Sequence, residues 1–158
     1  MRLSRICYDD VIMETGVIIG LDIGDARTGI ARSDALQMMA FPHTVVTAQT
    51  DTAMAEAVAT AIRPLNPVLV VAGMPLNQHG APGPQAKRVD TIIALLRTLL
   101  DVEIVSQDER FSTAEANRVA RDMNARGKKR KSKVDKIAAT LILQTWLDRN
   151  AAQRNIQA

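Results

Sequence analysis

The feature of this sequence that most restricts its fold is the alternation of short apolar runs with longer segments of helical period. Val17–Ile23 and Val68–Ala72 have the length and the nearly continuous apolar character of strands that are covered on both faces. Between them, apolar residues recur at helical spacing after Asp51 and stop at Pro64, which predicts an amphipathic helix capped by Thr50 or Asp51. Strands that alternate with helices in this way are typical of α/β proteins.

The remaining segments extend the same pattern. Three further strands are predicted, at Ile30–Ser33, Thr44–Thr47 and Val102–Val105. Three further helices are predicted, at Gln85–Leu100, from Ser112 onward, and over about Val134–Arg149. The predicted order is therefore βββαβαβαα, an α/β fold with a mixed five-stranded sheet and helices on both faces.

The chain has the size of one domain. Its 158 residues, 47% of them hydrophobic, are enough to bury a substantial core. We expect residues 17–150 to form this domain, residues 1–16 to be a poorly packed N-terminal extension, and residues 151–158 to be a C-terminal tail. Met1 and Met13 are both available as the start of translation.

Composition excludes several classes of protein. Cys7 is the only cysteine, so an internal disulfide framework is excluded and a reducing compartment is favoured. No apolar run approaches the roughly 20 residues that a membrane span requires, and no signal-peptide pattern is present. Aromatic residues make up only 3% of the chain, which disfavours a single-strand binder that stacks bases on aromatic rings. We therefore expect a cytoplasmic protein without a membrane partner.

Positive charge is concentrated in one short segment. Six of the eight residues in 126–133 are Lys or Arg, and the rest of the chain holds 14 basic residues (20 minus 6) against 17 acidic ones. A solvated loop is the commonest fate of such a run. Because the run directly precedes Asp135, we favour a phosphate clamp for nucleic acid, formed by Lys128, Lys129, Arg130, Lys131 and Lys133.

Carboxylates stand at the ends of three predicted elements. Asp22 lies near the end of the first strand, Glu109 just after the last, and Asp135 at the start of the final helix. Carboxyl ends of neighbouring strands meet at one edge of an open α/β sheet, so these side chains are expected to converge. Oxygen-only ligands select Mg²⁺ or Mn²⁺, and two such ions roughly 4 Å apart would suit phosphodiester hydrolysis.

Each acid also has a purely structural interpretation, and sequence leaves the choice open. Asp22 can begin a turn before a glycine, and Glu109 can pair with Arg110 or lie in solvent. Ser132 and Asp135 have the spacing of a helix-capping pair.

Other candidate positions surround the acids. Arg27 and Arg110 flank them and are candidates for contact with the scissile phosphate, although Arg110 is equally suited to a salt bridge with a neighbouring acid. The Gly- and Pro-rich segment that includes Asn77, Gly80 and Gly83 is long enough to be a substrate-facing loop, or else an ordinary connector. His43, His79 and Cys7 lie in no metal-ligand pattern, and we assign them no chemistry.

Four motifs, taken in order, resemble the YqgF family of pre-16S rRNA nucleases, also called Holliday junction resolvase-like proteins. The resemblance runs from about Val17 to Asp148. The motifs are Gly20–Gly24 with Arg27, Gly29, Ser33 and Asp34; Gly73–Asn77 with Gly80, Gly83, Pro84 and Gln85; Asp108–Arg110 with Ser112 and Thr113; and Val134–Lys136 with Ala138, Ala139 and Leu141–Gln144.

The resemblance implies an RNase H-like fold in which Asp22, Glu109 and Asp135 form a catalytic, metal-binding site for Mg²⁺ or Mn²⁺. It also implies endonuclease action at the 5′ end of pre-16S rRNA during ribosome biogenesis. Some members are described instead as junction resolvases, so a four-way DNA junction is an alternative substrate.

Two positions depart from the expected pattern. Related nucleases often carry a fourth carboxylate one helical turn from the last, but the residues at those positions around Asp135 are Lys131, Ser132, Ala138 and Ala139. One metal would then be held weakly until a substrate phosphate completes its shell. Asp25 stands where a small or hydroxyl residue is expected.

Three alternatives remain open. A non-catalytic ribosome- or RNA-binding factor would keep the fold and the basic run. An ATP-dependent phosphotransferase of the actin or sugar-kinase type is disfavoured because it needs two such domains and because no Gly-x-x-x-x-Gly-Lys loop is present. Oligomeric state is also open between monomer and homodimer, since cutting a symmetric junction requires two sites.

Overall fold

The structure is a computed structural model that describes residues 5–8, 11–76, 79–109 and 128–157. Side chains are described over residues 15–76, 79–109 and 135–151. Asn77, Arg110 and the helix predicted from Ser112 onward lie outside the described residues, and so do the side chains of the cations between Lys128 and Lys133.

Seven strands are described, and five of them form one mixed sheet. The strands are β1 (Arg5–Tyr8), β2 (Val11–Glu14), β3 (Ile18–Ile23), β4 (Arg27–Ser33), β5 (Ala40–Thr47), β6 (Leu69–Met74) and β7 (Glu103–Asp108). The large sheet has the order β5-β4-β3-β6-β7. Strand β3 pairs antiparallel with β4 and parallel with β6, and β6 pairs parallel with β7. The prediction of a mixed five-stranded sheet is confirmed.

Helices cover both faces of this sheet. They are α1 (Asp51–Ile62), α2 (Pro84–Leu99) and α3 (Lys128–Gln157), with a short 3-10 turn at Arg63–Leu65. The Thr50 hydroxyl accepts a hydrogen bond from the Ala53 N–H at 3.1 Å, which makes Thr50 the cap of α1. Pro84 begins α2, where a missing N–H removes no helical hydrogen bond.

Two separate hydrophobic layers result from this arrangement. One lies between the sheet and helices α1 and α2, with Leu21, Met54 and Ile92 among its fully buried residues. The other lies between the opposite face and α3, and includes Ile18 and Leu143. Because β3 contributes to both layers, all six of its residues are buried, as the apolar run predicts.

Helix α3 differs most from the prediction. It begins at Lys128 instead of Val134 and continues to Gln157, so residues 128–133 of the basic run form its first turns. No Gly or Pro occurs between residues 128 and 157, and most of these residues are good helix formers. Repulsion between like charges at helical spacing costs only about 0.2–0.5 kcal/mol per pair, which is too little to stop propagation.

A further pair of strands lies in the N-terminal segment, and two strands of the large sheet are longer than predicted. Residues 5–8 and 11–14 form the antiparallel pair β1–β2, a two-stranded sheet separate from the large one. Valine and isoleucine supply the strand propensity of this segment. Strand β4 begins at Arg27 and β5 at Ala40, because antiparallel pairing between them extends past the β-branched residues that marked them in the sequence.

Close approach of α3 to β3 should depend on Gly20. A methyl group at this position would lie 2.7 Å from Cβ of Leu143 and 2.9 Å from the carbonyl oxygen of Ala139. We expect Gly20→Ala to lower the free energy of unfolding by about 1–3 kcal/mol, because the helix must shift away from the strand. Urea denaturation of the purified protein measures this change.

Gly83→Ala is the matched control, since no atom lies within 4 Å of the added methyl group and the φ angle of Gly83 is −91°. Its stability should stay within about 1 kcal/mol of the wild type. Equal effects of the two substitutions would contradict the proposed close contact.

Candidate active site

Alternation along β3 decides which way Asp22 faces. Gly20 lies directly beneath Leu143 of α3, and side chains two residues apart in a strand share a face. Asp22 therefore faces α3, at the carboxyl end of the strand, and its side chain is buried with 2% of the residue exposed. A buried carboxylate requires compensation by donors or cations, which distinguishes this residue from a simple turn-forming Asp.

Asp22 is flanked on both neighbouring strands by glycine. It pairs across the antiparallel ladder with Gly29 of β4. On the other side, Leu21 is in register with Ala72, so the next position along both parallel strands places Gly73 of β6 beside Asp22. The sheet thus lacks side chains on both sides of the carboxylate, which leaves space above it.

The Glu109 side chain fills one of these spaces. Glu109 follows β7 directly, its N–H donates to the Met74 carbonyl at 3.2 Å, and only 1% of the residue is exposed. A methyl group at Gly73 would lie 2.6 Å from the carboxyl carbon of Glu109. The carboxylate therefore lies against the backbone of the strand next to Asp22.

Asp135 occupies the space on the other side. The backbone of α3 at Asp135 is packed so closely on Gly29 that its carbonyl oxygen would collide with any β-carbon there. The Asp135 carboxylate lies 3.3 Å from Nε of Arg27, and side-chain exposure is 9% for the Asp and 23% for the Arg. Asp135 is therefore held in place by contacts of both its backbone and its side chain.

The three predicted acids thus lie on one face of the sheet, around the row Gly29, Asp22 and Gly73. Their burial separates them from the solvated acids of the surface. Carboxylate oxygens are of the kind that a hard divalent cation prefers. Among the side chains that the structure describes, however, no three Asp, Glu, His or Cys residues are gathered as a group that could hold a metal ion. The acids therefore lie on one face without forming a closed ligand set.

Other predicted positions are found around this face. Arg27 begins β4 at the same edge of the sheet and contacts Asp135. Gly80 has a φ of 78°, a conformation that favours glycine, and Gly83 is the residue before α2. Leu76 and Pro82 form an isolated bridge that closes the intervening loop.

His43, to which we assigned no chemistry, lies away from the acids on β5. Partial burial lowers its pKa, and the charge of Arg32 on the neighbouring strand lowers it further.

Two residues that sequence reasoning missed support the strand that carries Asp22. Gln85 donates to the Ile23 carbonyl at 2.9 Å, and Arg88 donates to the Gly24 carbonyl. Gln85 belongs to the second motif, but motif membership says nothing of its partner. Arg88 also lies 3.8 Å from Asp25, whose side chain is 91% exposed, so the unexpected acid at position 25 does not join the buried ones.

No helix among the described residues is long and apolar enough to cross a membrane.

Comparison with known proteins finds relatives that agree with one another in family. The family model described as "RuvX: Holliday junction resolvase" matches residues 16–149. A Roseiflexus protein named "Putative pre-16S rRNA nuclease" is 36% identical over 135 residues, which are 85% of this chain and 96% of that protein. One of the same name from Halothermothrix orenii is 39% identical over 131 residues, 83% of this chain and 94% of its own length. These matches confirm the resemblance that the four motifs indicate.

Solved structures establish the fold. RuvC of T. thermophilus, in complex with a Holliday junction substrate, superposes with a TM-score of 0.52 at 14% identity, covering 85% of this chain and 95% of that one. Fowlpox virus resolvase with its junction DNA superposes with a TM-score of 0.50 at 12% identity, covering 84% and 97%. Identities this low establish the fold alone, which is RNase H-like as predicted.

The contact between Arg27 and Asp135 should be measurable as a coupling energy. Arg27→Gln removes the cation beside a nearly buried carboxylate, so we expect it to destabilise the protein strongly when Asp135 is present and weakly in an Asp135→Asn background. A coupling of about 2 kcal/mol is expected, between the values for exposed and buried pairs. Urea denaturation of the four proteins of the double-mutant cycle gives this value.

Arg32→Gln, an exposed arginine on the same strand, is the control and should show no coupling with Asp135→Asn. A coupling for Arg27 no larger than that for Arg32 would mean that the ion pair does not hold Asp135.

Proposed function

The chain belongs to the RuvX (YqgF) family, and from this membership and the buried acids we propose that it is a metal-dependent endonuclease that hydrolyses phosphodiester bonds. The observation that carries the proposal is the placement of Asp22, Glu109 and Asp135 on one face of the sheet, where Gly29 and Gly73 flank Asp22. Buried carboxylates on one face repel each other, and a divalent cation bound by them would offset that repulsion.

Pre-16S rRNA is the substrate that we propose first. The curated relatives bear this activity in their names and align with this chain over more than nine-tenths of their own length. A four-way DNA junction is the second candidate, favoured by the description of the family model. Both substrates are structured polyanions, so the same basic and acidic residues would serve either.

The carboxylates of Asp22, Glu109 and Asp135 would hold Mg²⁺ or Mn²⁺, with a substrate phosphate completing the set that they leave open. Bound metal would supply an activated water and charge stabilisation at the leaving oxygen, and with substrate present we propose two ions. Arg27 contacts Asp135 at the same edge and keeps some exposure, and in this proposal its remaining N–H groups would donate to the scissile phosphate.

The basic first turns of α3 would bind the nucleic-acid backbone beside these acids. Lys128, Lys129, Arg130, Lys131 and Lys133 fall within the first six residues of the helix, and its first turn holds no acid. Cations at a helix N-terminus are unfavourable to the helix dipole and repel each other at helical spacing. A polyanion would relieve both effects, so the same segment that opposes the isolated helix favours the complex. Arg110 and the loop of Asn77, Gly80 and Gly83 are further proposed substrate contacts.

Asp22→Asn and Glu109→Gln should each reduce Mn²⁺- or Mg²⁺-dependent cleavage by on the order of 100-fold or more, since each removes charge that positions the metal. Binding of RNA should be unchanged or tighter, because a negative charge near the phosphates is removed. Cleavage of a pre-16S rRNA fragment and of a four-way DNA junction, with binding measured separately, tests this and compares the two substrates.

Asp101→Asn is the matched control, an exposed carboxylate between α2 and β7, and it should retain activity. Full activity in both Asp22→Asn and Glu109→Gln would assign the cleavage to a contaminant and favour a binding factor without catalysis.

The proposed role of the basic first turns of α3 is tested in a variant in which Gln replaces Lys128, Lys129, Arg130 and Lys131 at the same time. Nucleic-acid affinity should fall for every sequence, and the slope of log K against log salt should flatten by about 0.7–0.9 for each cation that contacts a phosphate. Filter binding or fluorescence anisotropy at several salt concentrations measures both quantities.

Replacing Arg32, Arg63, Lys87 and Arg97 with Gln removes the same charge from exposed positions elsewhere and is the control. An unaltered slope in the first variant, or an equal change in both, would exclude a clamp at the start of α3.

A further inference from the structure

Two side chains of α2 bind the main chain immediately after Asp22. The Gln85 amide donates to the Ile23 carbonyl at 2.9 Å, and the Arg88 guanidinium donates to the Gly24 carbonyl. Both residues lie within the first five positions of α2, on the side of the sheet opposite to α3. The end of the strand that carries Asp22 is therefore held from the side where no acid of the site is found.

Arg88 is itself fixed by other contacts. Its Nε donates to the Asp51 carboxylate of α1 at 2.9 Å, and its side chain is 19% exposed. Asp25, 3.8 Å away, adds a second negative charge on the solvent side. The guanidinium thus links the N-terminal part of α2 to the first turn of α1 and to the Gly24 backbone. A planar group with five N–H donors can make these contacts at the same time.

The turn that these residues hold carries two members of the site. Asp22 precedes it and Arg27 follows it, and the Gly24 N–H donates to the Arg27 carbonyl at 2.8 Å to close it. Arg27 in turn contacts Asp135. A shift of the Ile23–Gly24 backbone would therefore move Asp22 directly and Asp135 through Arg27.

We propose that Gln85 and Arg88 are positioning residues, which fix the turn between Asp22 and Arg27 and so set the geometry of the acidic site from the opposite layer of the fold. The proposal rests on the proposed nuclease function for its kinetic consequence. Both residues belong to the helix on the face opposite to the acids, so we expect their effect on the rate of the chemical step and not on substrate binding. Displacement of a reacting group by about 1 Å can cost up to on the order of 100-fold in rate.

Gln85→Met removes the amide that donates to Ile23, and Arg88→Gln removes the guanidinium that donates to both Gly24 and Asp51. We expect kcat to fall about tenfold with KM for the nucleic acid unchanged, and the Mn²⁺ concentration for half-maximal rate to rise. Arg88→Lys keeps the charge but loses the fork of N–H groups, so it should restore only part of kcat. Hydrogen exchange of the Gly24 amide should be faster in Arg88→Gln and in Gln85→Met.

Arg97→Gln is the matched control. Arg97 lies near the other end of the same helix and also donates to a main-chain carbonyl, that of Ile104, at 2.9 Å. It should lose a similar amount of stability while kcat, the Mn²⁺ dependence and the exchange of Gly24 stay at wild-type values. This comparison separates positioning of the site from general support of the fold.

Several outcomes would overturn the proposal. Changes in Arg88→Gln and Gln85→Met no larger than those in Arg97→Gln would make the contacts merely structural, and a raised KM with unchanged kcat would make them substrate contacts. Asp22→Asn is measured in parallel. If that variant is inactive while Arg88→Gln and Gln85→Met are fully active, only the positioning role fails. If Asp22→Asn cleaves like the wild type, the nuclease proposal itself fails.

Discussion

Contact between α3 and the bare backbone of the central strands is the constraint on which the rest of the structure depends. Gly20 and Gly29 present no side chain to the helix, so α3 packs against main chain at both positions. This close approach fixes the height and rotation of the helix over the sheet. It therefore decides where Asp135 lies, a residue that is more than a hundred positions from Asp22 in the chain.

Toward the C-terminal half of α3, polar contacts hold the helix in this position over the sheet. The Gln144 amide oxygen accepts from the Ala40 N–H at 2.8 Å, and Gln107 of β7 donates to the Ile142 carbonyl at 3.1 Å. The helix is thus tied to strands on both sides of β3. A helix held at several points moves little, which is what a site built from one helix and two strands requires.

Electrostatics explains why the acids are found where α3 meets the sheet. Burial strengthens both attraction and repulsion between charges, so carboxylates gathered in a dry site bind a divalent cation more strongly than the same groups in water. Basic residues immediately before Asp135 counter the repulsion that such a site exerts on a polyanion. In the proposed function, the basic turns of α3 would supply affinity for the polyanion, and Asp135 in the next turn would act with Asp22 and Glu109 in the chemistry.

Much of this could be predicted from the chain itself. Apolar runs such as Val68–Ala72 identified the buried strands, and the change to helical period identified α1 and α2, because burial on one face or two leaves a local pattern. Asp22 was recognisable because an acid at the end of a buried strand interrupts that pattern. The extent of α3 was not recognisable, since charge suggested a loop where propensity favoured a helix.

Sequence by itself determined the five strands of the large sheet, helices α1 and α2, their order and the candidate acids, since each of these depends on residues close together in the chain. Only the tertiary structure decided that glycines on β4 and β6 flank Asp22, that Arg27 binds Asp135, and that Gln85 and Arg88 hold the turn from the opposite layer. Such contacts depend on strand register and helix height. Those are set by packing across the whole sheet, and no local pattern records them.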